Sequence, residues 1–207
     1  MNNIIKFYAY TNTLKHKLRQ GWLDVGIKSE RIESIAEHIY GTLILALAID
    51  SEFDLGLDML KVLKMLTLHE LEEILMPDYT IRDDIPAEEK NEQGSRVVHK
   101  VTEDLINQSE IEKLLEEFNA HESKESIFCY HIDKIEADLQ NKMYELNNET
   151  DFEKSKEDIM AYMGEKGKAI IEESETANDI WLAIDRHHYE DDKLFMDLWN
   201  AIKEYKG

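Results

Sequence analysis

Two prolines, eight glycines and one cysteine are all that 207 residues hold of the types that most often interrupt or staple a chain. The lone Cys129 leaves no disulfide framework possible within the chain. Scarce proline and glycine leave long stretches free to be helical. Positive charge is also short: 24 Lys and Arg stand against 45 Asp and Glu, a formal net charge of -21. That balance argues against binding nucleic-acid polymers or anionic membranes. A small phosphorylated ligand is compatible with it, since such a ligand needs only a local cationic pocket. No apolar run approaches the roughly 20 residues of a membrane span. The opening MNNIIKFYAYTNTLKHKLRQ lacks the apolar core and cleavage site of a signal peptide. The expectation is a cytoplasmic protein.

What is present is helical periodicity. Residues 31–50 place Ile32, Ile35, Ile39, Leu43 and Leu47 on one side, and 57–75 do the same with Met59, Val62, Leu63, Leu66 and Leu71. Residues 93–108 and 110–118 continue the pattern, with Ser109 read as a fresh N-cap between them. Further helices are expected at 125–146, 151–172, 175–187 and 191–205. The stretch 76–90 holds both prolines and reads as a long loop. No alternating strand pattern of useful length appears. The fold class is all-α, one helical bundle over residues 1–207.

The segment LTLHELEEILMPDYT, residues 66–80, conflicts with that simple picture. It has the apolar spacing of a buried helix, yet carries His69, Glu70, Glu72, Glu73 and then Pro77-Asp78. Buried charges are costly without a partner, so solvent or a cation must satisfy them. His38 in ESIAEHIYG and Asp133 in CYHIDKIEADLQ lie on other expected helices. Imidazole and carboxylate converging from separate helices bind a divalent transition metal. On a continuous helix, His69 and Glu70 point about 100° apart, and Glu73 faces the same way as His69. A solvated acidic stripe has the same letters, however, and no second His follows His69 by four, so the zinc-protease helix is ruled out. Spacing alone favours the solvated reading.

The order of the motifs changes the balance. ESIAEHIYG, LHELEEILMPDYT and HIDKIEADLQ together resemble the HD-domain metal-dependent phosphohydrolase superfamily, and within it the 5'-deoxynucleotidase branch. The likeness runs from about residue 14 to 140, and the helices after about 150 carry little of it. The resemblance implies an HD-type helical bundle in which His38, His69, Glu70 and Asp133 hold one divalent ion (Mn, Co, Fe, Mg, Ni or Zn). It makes Glu73 the acid that positions or activates water, and Asp78 the acid that protonates the leaving sugar oxygen. LKHKLRQGW is similar to an upstream family segment, which would set Arg19 on the substrate phosphate and Trp22 beside the sugar. Two positions depart from the family pattern. Glu70 stands where aspartate is usual, with about 1.5 Å of extra reach. Pro77 precedes Asp78 where glycine is common.

The implied activity is hydrolysis of a nucleoside 5'-monophosphate, preferentially the deoxy form, by a homodimer. Two alternatives stay open: a non-catalytic HD scaffold whose metal site has weakened, and a hydrolase of a cyclic or alarmone phosphoester. DRHHYEDD, residues 185–192, offers Asp185, His187 and His188, and reads as a solvated helix end with no partner elsewhere. Trp181, Trp199 and Phe195 read as core or as a subunit contact.

Overall fold

A computed structural model describes residues 1–79 and 85–207. Among the described residues the helices are α1 (Asn2–Thr11), α2 (Gln20–Asp24), α3 (Ile35–Glu52), α4 (Met59–Leu68), α5 (Ala87–Thr102), α6 (Gln108–Ala120), α7 (Lys124–Leu146), α8 (Phe152–Met163), α9 (Glu165–Glu173), α10 (Ala177–Asp185) and α11 (Lys193–Glu204). Tighter 3-10 turns cover Asn12–Lys15, Glu72–Ile74 and Arg186–His188. The β pairing among these residues is two isolated bridges, Leu18 with Ser34 and Ile27 with Thr150. The all-α expectation holds.

Several boundaries differ from the periodic reading. The helix expected over 57–75 ends at Leu68, and the one expected over 151–172 breaks at Gly164, whose φ of 54° suits glycine. Helix α5 begins at Ala87 and ends at Thr102, earlier than the expected 93–108. Ser109 therefore lies inside α6, whose N-cap is Asn107. Of the loop expected over 76–90, residues 80–84 lie outside the described residues. Helices α1 and α2 are too short, or too weakly periodic, to show in the sequence.

Contacts gather the chain into two units. The first comprises Met1–Leu18, Glu33–Tyr79 and the described residues from Ile85 to Ile132. Its core holds Leu14, Ile35, Leu71, Ile74, Val98, Val101 and Leu115. Asn3 of α1 donates to the Asp104 carbonyl at 2.8 Å, tying the amino terminus to the end of α5. The second unit comprises Arg19–Ile32 and Asp133–Gly207. Trp22, Val25, Ala137 and Tyr144 form its core, with the Trp181 ring tilted 36° against Trp22 at 4.7 Å between centroids. Phe195 is buried, and the Trp199 indole donates to the Leu182 carbonyl at 2.9 Å, so these aromatics serve the core. The division falls inside α7, so a single continuous helix carries both Ile132 and Asp133.

Helices α8 and α9 meet where α9 has no side chain. A Cβ on Gly167 would stand 2.7 Å from the Ile159 carbonyl oxygen and 2.9 Å from its Cγ2. Gly167→Ala is expected to cost about 1–3 kcal/mol through overpacking, read as a lower denaturation midpoint. An unchanged midpoint would show that the two helices separate freely.

Candidate metal centre

Local sequence fixes where the first imidazole stands. Ser34 caps α3: its hydroxyl accepts from the Glu37 backbone N–H at 3.3 Å, and the Glu37 carboxylate accepts from the Ser34 N–H at 2.9 Å. This reciprocal capping box needs Ser and Glu three apart, which is the S-x-x-E inside ESIAEH. It sets His38 in the first turn of α3, where the ring is fully buried.

The second imidazole stands at a helix end. Asp58 caps the start of α4 by accepting from the Lys61 N–H at 3.1 Å, and His69 is the residue just past its last turn. His69 Nδ1 lies 2.8 Å from the Leu66 carbonyl oxygen. A carbonyl only accepts, so Nδ1 carries the proton and Nε2 presents a lone pair. That lone pair points into a tight triangle. The two Nε2 atoms of His38 and His69 are 3.5 Å apart, and Glu70 Oε1 is 3.6 Å from the first and 3.5 Å from the second. Atoms bound to one ion at about 2.1 Å stand about 3.0–3.4 Å apart at right-angle or tetrahedral geometry. The donor set is of nearly that size. Asp133 follows Ile132 on the helix that the first unit anchors, and one ligand atom each of His38, His69, Glu70 and Asp133 lies within 4.8 Å of the others. Two neutral nitrogens and two carboxylates suit a divalent transition metal.

Glu73 is buried beside this group. Burial, then the negative charges of Glu70 and Asp78, push its carboxyl up to about 9, against the opposing pull of Lys17 and Lys90. Its Oε2 has no hydrogen-bond partner among the described residues, and the Lys17 ammonium stands 3.7 Å away. Lys17 also donates to the Glu73 and Met76 carbonyls, pinning the turn that carries Glu73. The sequence reading passed over Lys17, and only its presence in LKHKLRQGW marked it. Glu73 lies in the 3-10 turn Glu72–Ile74 rather than on a continuation of α4, so its approach is set by that turn and not by a four-residue helical spacing.

A family model described as the HD domain matches residues 11–180. The chain belongs to the HD domain family. It is similar to the 5'-deoxynucleotidase HDDC2 of Dictyostelium discoideum, 30% identical over 70% of this chain and 79% of that one. It is 31% identical to the 5'-deoxynucleotidase hdd1 of Schizosaccharomyces pombe, over 72% of this chain and 77% of the relative. The solved structure of the PH0347 protein from Pyrococcus horikoshii OT3 is similar with a TM-score of 0.57 and 25% identity, covering 96% of this chain and 97% of that one.

The remaining expected site residues of this HD domain are distributed as follows. Asp78 is half-buried after the exposed Pro77, close enough for its charge to act on Glu73. Arg19 is the N-cap of α2, half-buried in the second unit. Trp22 is only 1% exposed, packed between Trp181 and Tyr144, so it would influence a ligand as a wall held by the core. A cavity of about 230 Å³ lies beside His69, lined also by Glu72, Gly94, His99 and Glu112. It is smaller than the roughly 300 Å³ at which ligand pockets begin, so it does not by itself house a nucleotide.

The burial of Glu73 has a consequence for stability. In the metal-free protein the folded state keeps a proton that an unfolded carboxyl releases above about pH 4.5. Stability attributable to this group therefore falls as pH rises from about 4.5 toward 9. Glu73→Gln should raise the metal-free melting temperature by a few degrees at pH 8, with the gap closing toward pH 5. A gap independent of pH would count against a buried, proton-holding Glu73.

Proposed function

We propose that this HD domain is a metal-dependent phosphohydrolase that cleaves nucleoside 5'-monophosphates, preferentially the deoxy form, to nucleoside and phosphate. The observation that carries this reading is the buried triangle of His38, His69 and Glu70 at 3.5–3.6 Å with an unpartnered carboxyl oxygen of Glu73 beside it. Relatives about 30% identical that bear the name 5'-deoxynucleotidase support the substrate class. The proposed ligands of one divalent ion are His38, His69, Glu70 and Asp133, and the ion is one of Mn, Co, Fe, Mg, Ni or Zn.

When bound, a divalent ion supplies a lower pKa for water and offsets charge on phosphoryl oxygens. The chain's own groups supply the rest. Glu73 orients the attacking water and takes its proton. A dication near Glu70 opposes the burial that otherwise keeps Glu73 protonated. Water oxygen bonds to phosphorus as the bond from phosphorus to the sugar oxygen breaks, and Asp78, entering this step in its protonated form, gives that oxygen a proton. Arg19 grips a phosphoryl oxygen through its planar fork, and Trp22 bounds the sugar side.

The same reading extends to assembly and place. One HD domain over residues 1–207 is supported by a family match that runs from 11 to 180, through residues of both units. A homodimer is supported by α3, whose residues 38–49 carry no Asp, Glu, Lys or Arg. Tyr40, Ile44 and Leu47 on that helix are nonetheless 66%, 47% and 45% exposed. A helix apolar on all sides ordinarily has its faces covered. Cytoplasmic location is supported by the single cysteine, and among the described residues no helix is long and apolar enough to cross a membrane.

Phosphate release from ribo- and deoxynucleoside monophosphates, assayed with each divalent ion in turn, tests the activity. His69→Ala should lose more than the roughly 10–100-fold typical of a residue that only supports a ligand; parent-like release would end the assignment. Trp22→Phe, which keeps most of the packing, should shift the deoxy-to-ribo ratio. An unchanged ratio would remove Trp22 from the pocket.

A further inference from the structure

A row of rings leads away from His69 within the first unit. Phe118, near the end of α6, meets the His69 ring at 5.6 Å between centroids, tilted by 55°. His121 stands edge-on to Phe118, at 6.0 Å and 90°. Tyr130 of α7 lies against His121 at 4.1 Å, tilted by 34°. The row is core at one end and surface at the other, with Phe118 buried, Tyr130 half-buried and His121 exposed. Its outermost ring is therefore held by two neighbours while remaining open to solvent. The backbone beneath that ring is unusual as well. His121 is the C-cap of α6 at φ 50° and ψ 40°, with its N–H on the Phe118 carbonyl at 3.3 Å. This left-handed position ordinarily carries glycine, or sometimes asparagine. Here the chain places an aromatic side chain on it instead.

Tyr130 sets this pair relative to the proposed ligands. Helix α7 is continuous, and Tyr130 precedes Asp133 by three residues, so the two share a face with about 5–6 Å between their Cβ atoms. His121 is thus tied to the candidate metal centre twice, through Phe118 to His69 and through Tyr130 along α7 to Asp133. A nucleoside 5'-monophosphate with its phosphate at that centre carries its base one sugar away. Bases taken out of a helix are commonly received on the rings of Phe, Tyr, Trp or His. Such stacking accepts any base, because every base has a π-face. Neither the imidazole nor the phenol brings negative charge, whereas most of the ionised side chains of this chain are carboxylates that repel a nucleotide.

We propose that His121, backed by Tyr130, is the stacking surface for the nucleobase, and so sets the preference for base-bearing over base-free sugar phosphates. This inference rests on the reading above that the substrate is a nucleoside 5'-monophosphate. The full chain, with the ion that best supports phosphate release, is assayed on deoxyadenosine 5'-monophosphate and on 2-deoxyribose 5-phosphate, which has the same phosphoester and no base. His121→Asn keeps a residue suited to the left-handed backbone and removes the ring. It should lower the ratio of the two kcat/KM values about 5- to 100-fold, mainly through KM. His121→Phe restores a ring and should recover most of that ratio. An unchanged ratio in His121→Asn overturns the inference; if both rates fall together, His121 serves only the packing around His69. A folded His121→Phe that behaves like His121→Asn overturns it too. Proton NMR of the metal-free full chain reads the same contact without turnover. The His121 Cε1 proton, assigned by its absence from His121→Asn, should shift with deoxyadenosine 5'-monophosphate, through the ring current of the base, and not with 2-deoxyribose 5-phosphate. Equal shifts with both, or none, count against the stacking surface. A parent that releases no phosphate from any nucleoside monophosphate sinks the functional reading instead, and the NMR response tells the two failures apart.

Discussion

Lone pairs that converge in a buried place need something positive between them. Two imidazole nitrogens and a carboxylate oxygen lie 3.5–3.6 Å apart here, and both rings are nearly sealed from water. Without a cation, the negative charges of Glu70 and Asp78 crowd one small region of a chain that already carries -21, and Glu73 keeps a proton beside them. Lys17 and Lys90 oppose that charge, but the Lys17 ammonium stands 3.7 Å from Glu73 and spends its closer contacts on backbone carbonyls. That is too little to offset several carboxylates at low dielectric. A bound dication would resolve the conflict, and the local structure on either side presents the proposed ligands.

Those presenting devices are ordinary helix chemistry. The capping box of Ser34 and Glu37 starts α3 at a defined residue, and so puts His38 one turn inside a buried face. The end of α4 at Leu68 leaves His69 as a cap residue whose Nδ1 is tied to its own helix, aiming the other nitrogen outward. A candidate metal site built this way needs few dedicated residues. Most of its precision comes from where two helices start and stop.

That dependence explains what could be read in the letters and what could not. Long amphipathic stretches such as those of α6, α7 and α11 were legible because their apolar spacing repeats over several turns. His38, His69, Glu70 and Asp133 were legible as a set because their order within three motifs matched a known pattern; spacing alone favoured a solvated stripe. The end of α4 was not legible, since HELEE carries neither glycine nor proline, and tertiary packing of Leu71 and Ile74 into the core ends the helix instead. Lys17 was missed for the same kind of reason. Its partners, the Glu73 and Met76 carbonyls, lie 56 or more residues away, and no local signal announces such pairings.

The glutamate at position 70 illustrates how a local boundary bears on a chemical question. On a continuous helix, an acid one residue after His69 points about 100° away, and an added methylene carries its oxygens past a fixed centre. Here α4 ends at Leu68, and His69 and Leu71 keep right-handed helical dihedrals in a tighter turn, with the Leu71 N–H on the Leu68 carbonyl and the Glu73 N–H on the Glu70 carbonyl. Glu70 Oε1 comes equally near both imidazole nitrogens, and the side chain is 12% exposed. The longer acid therefore reaches the same centre by bending, at the cost of ordering one more torsion, which is small beside the charge it brings. Glutamate at this position meets both imidazoles from the tight turn that follows α4.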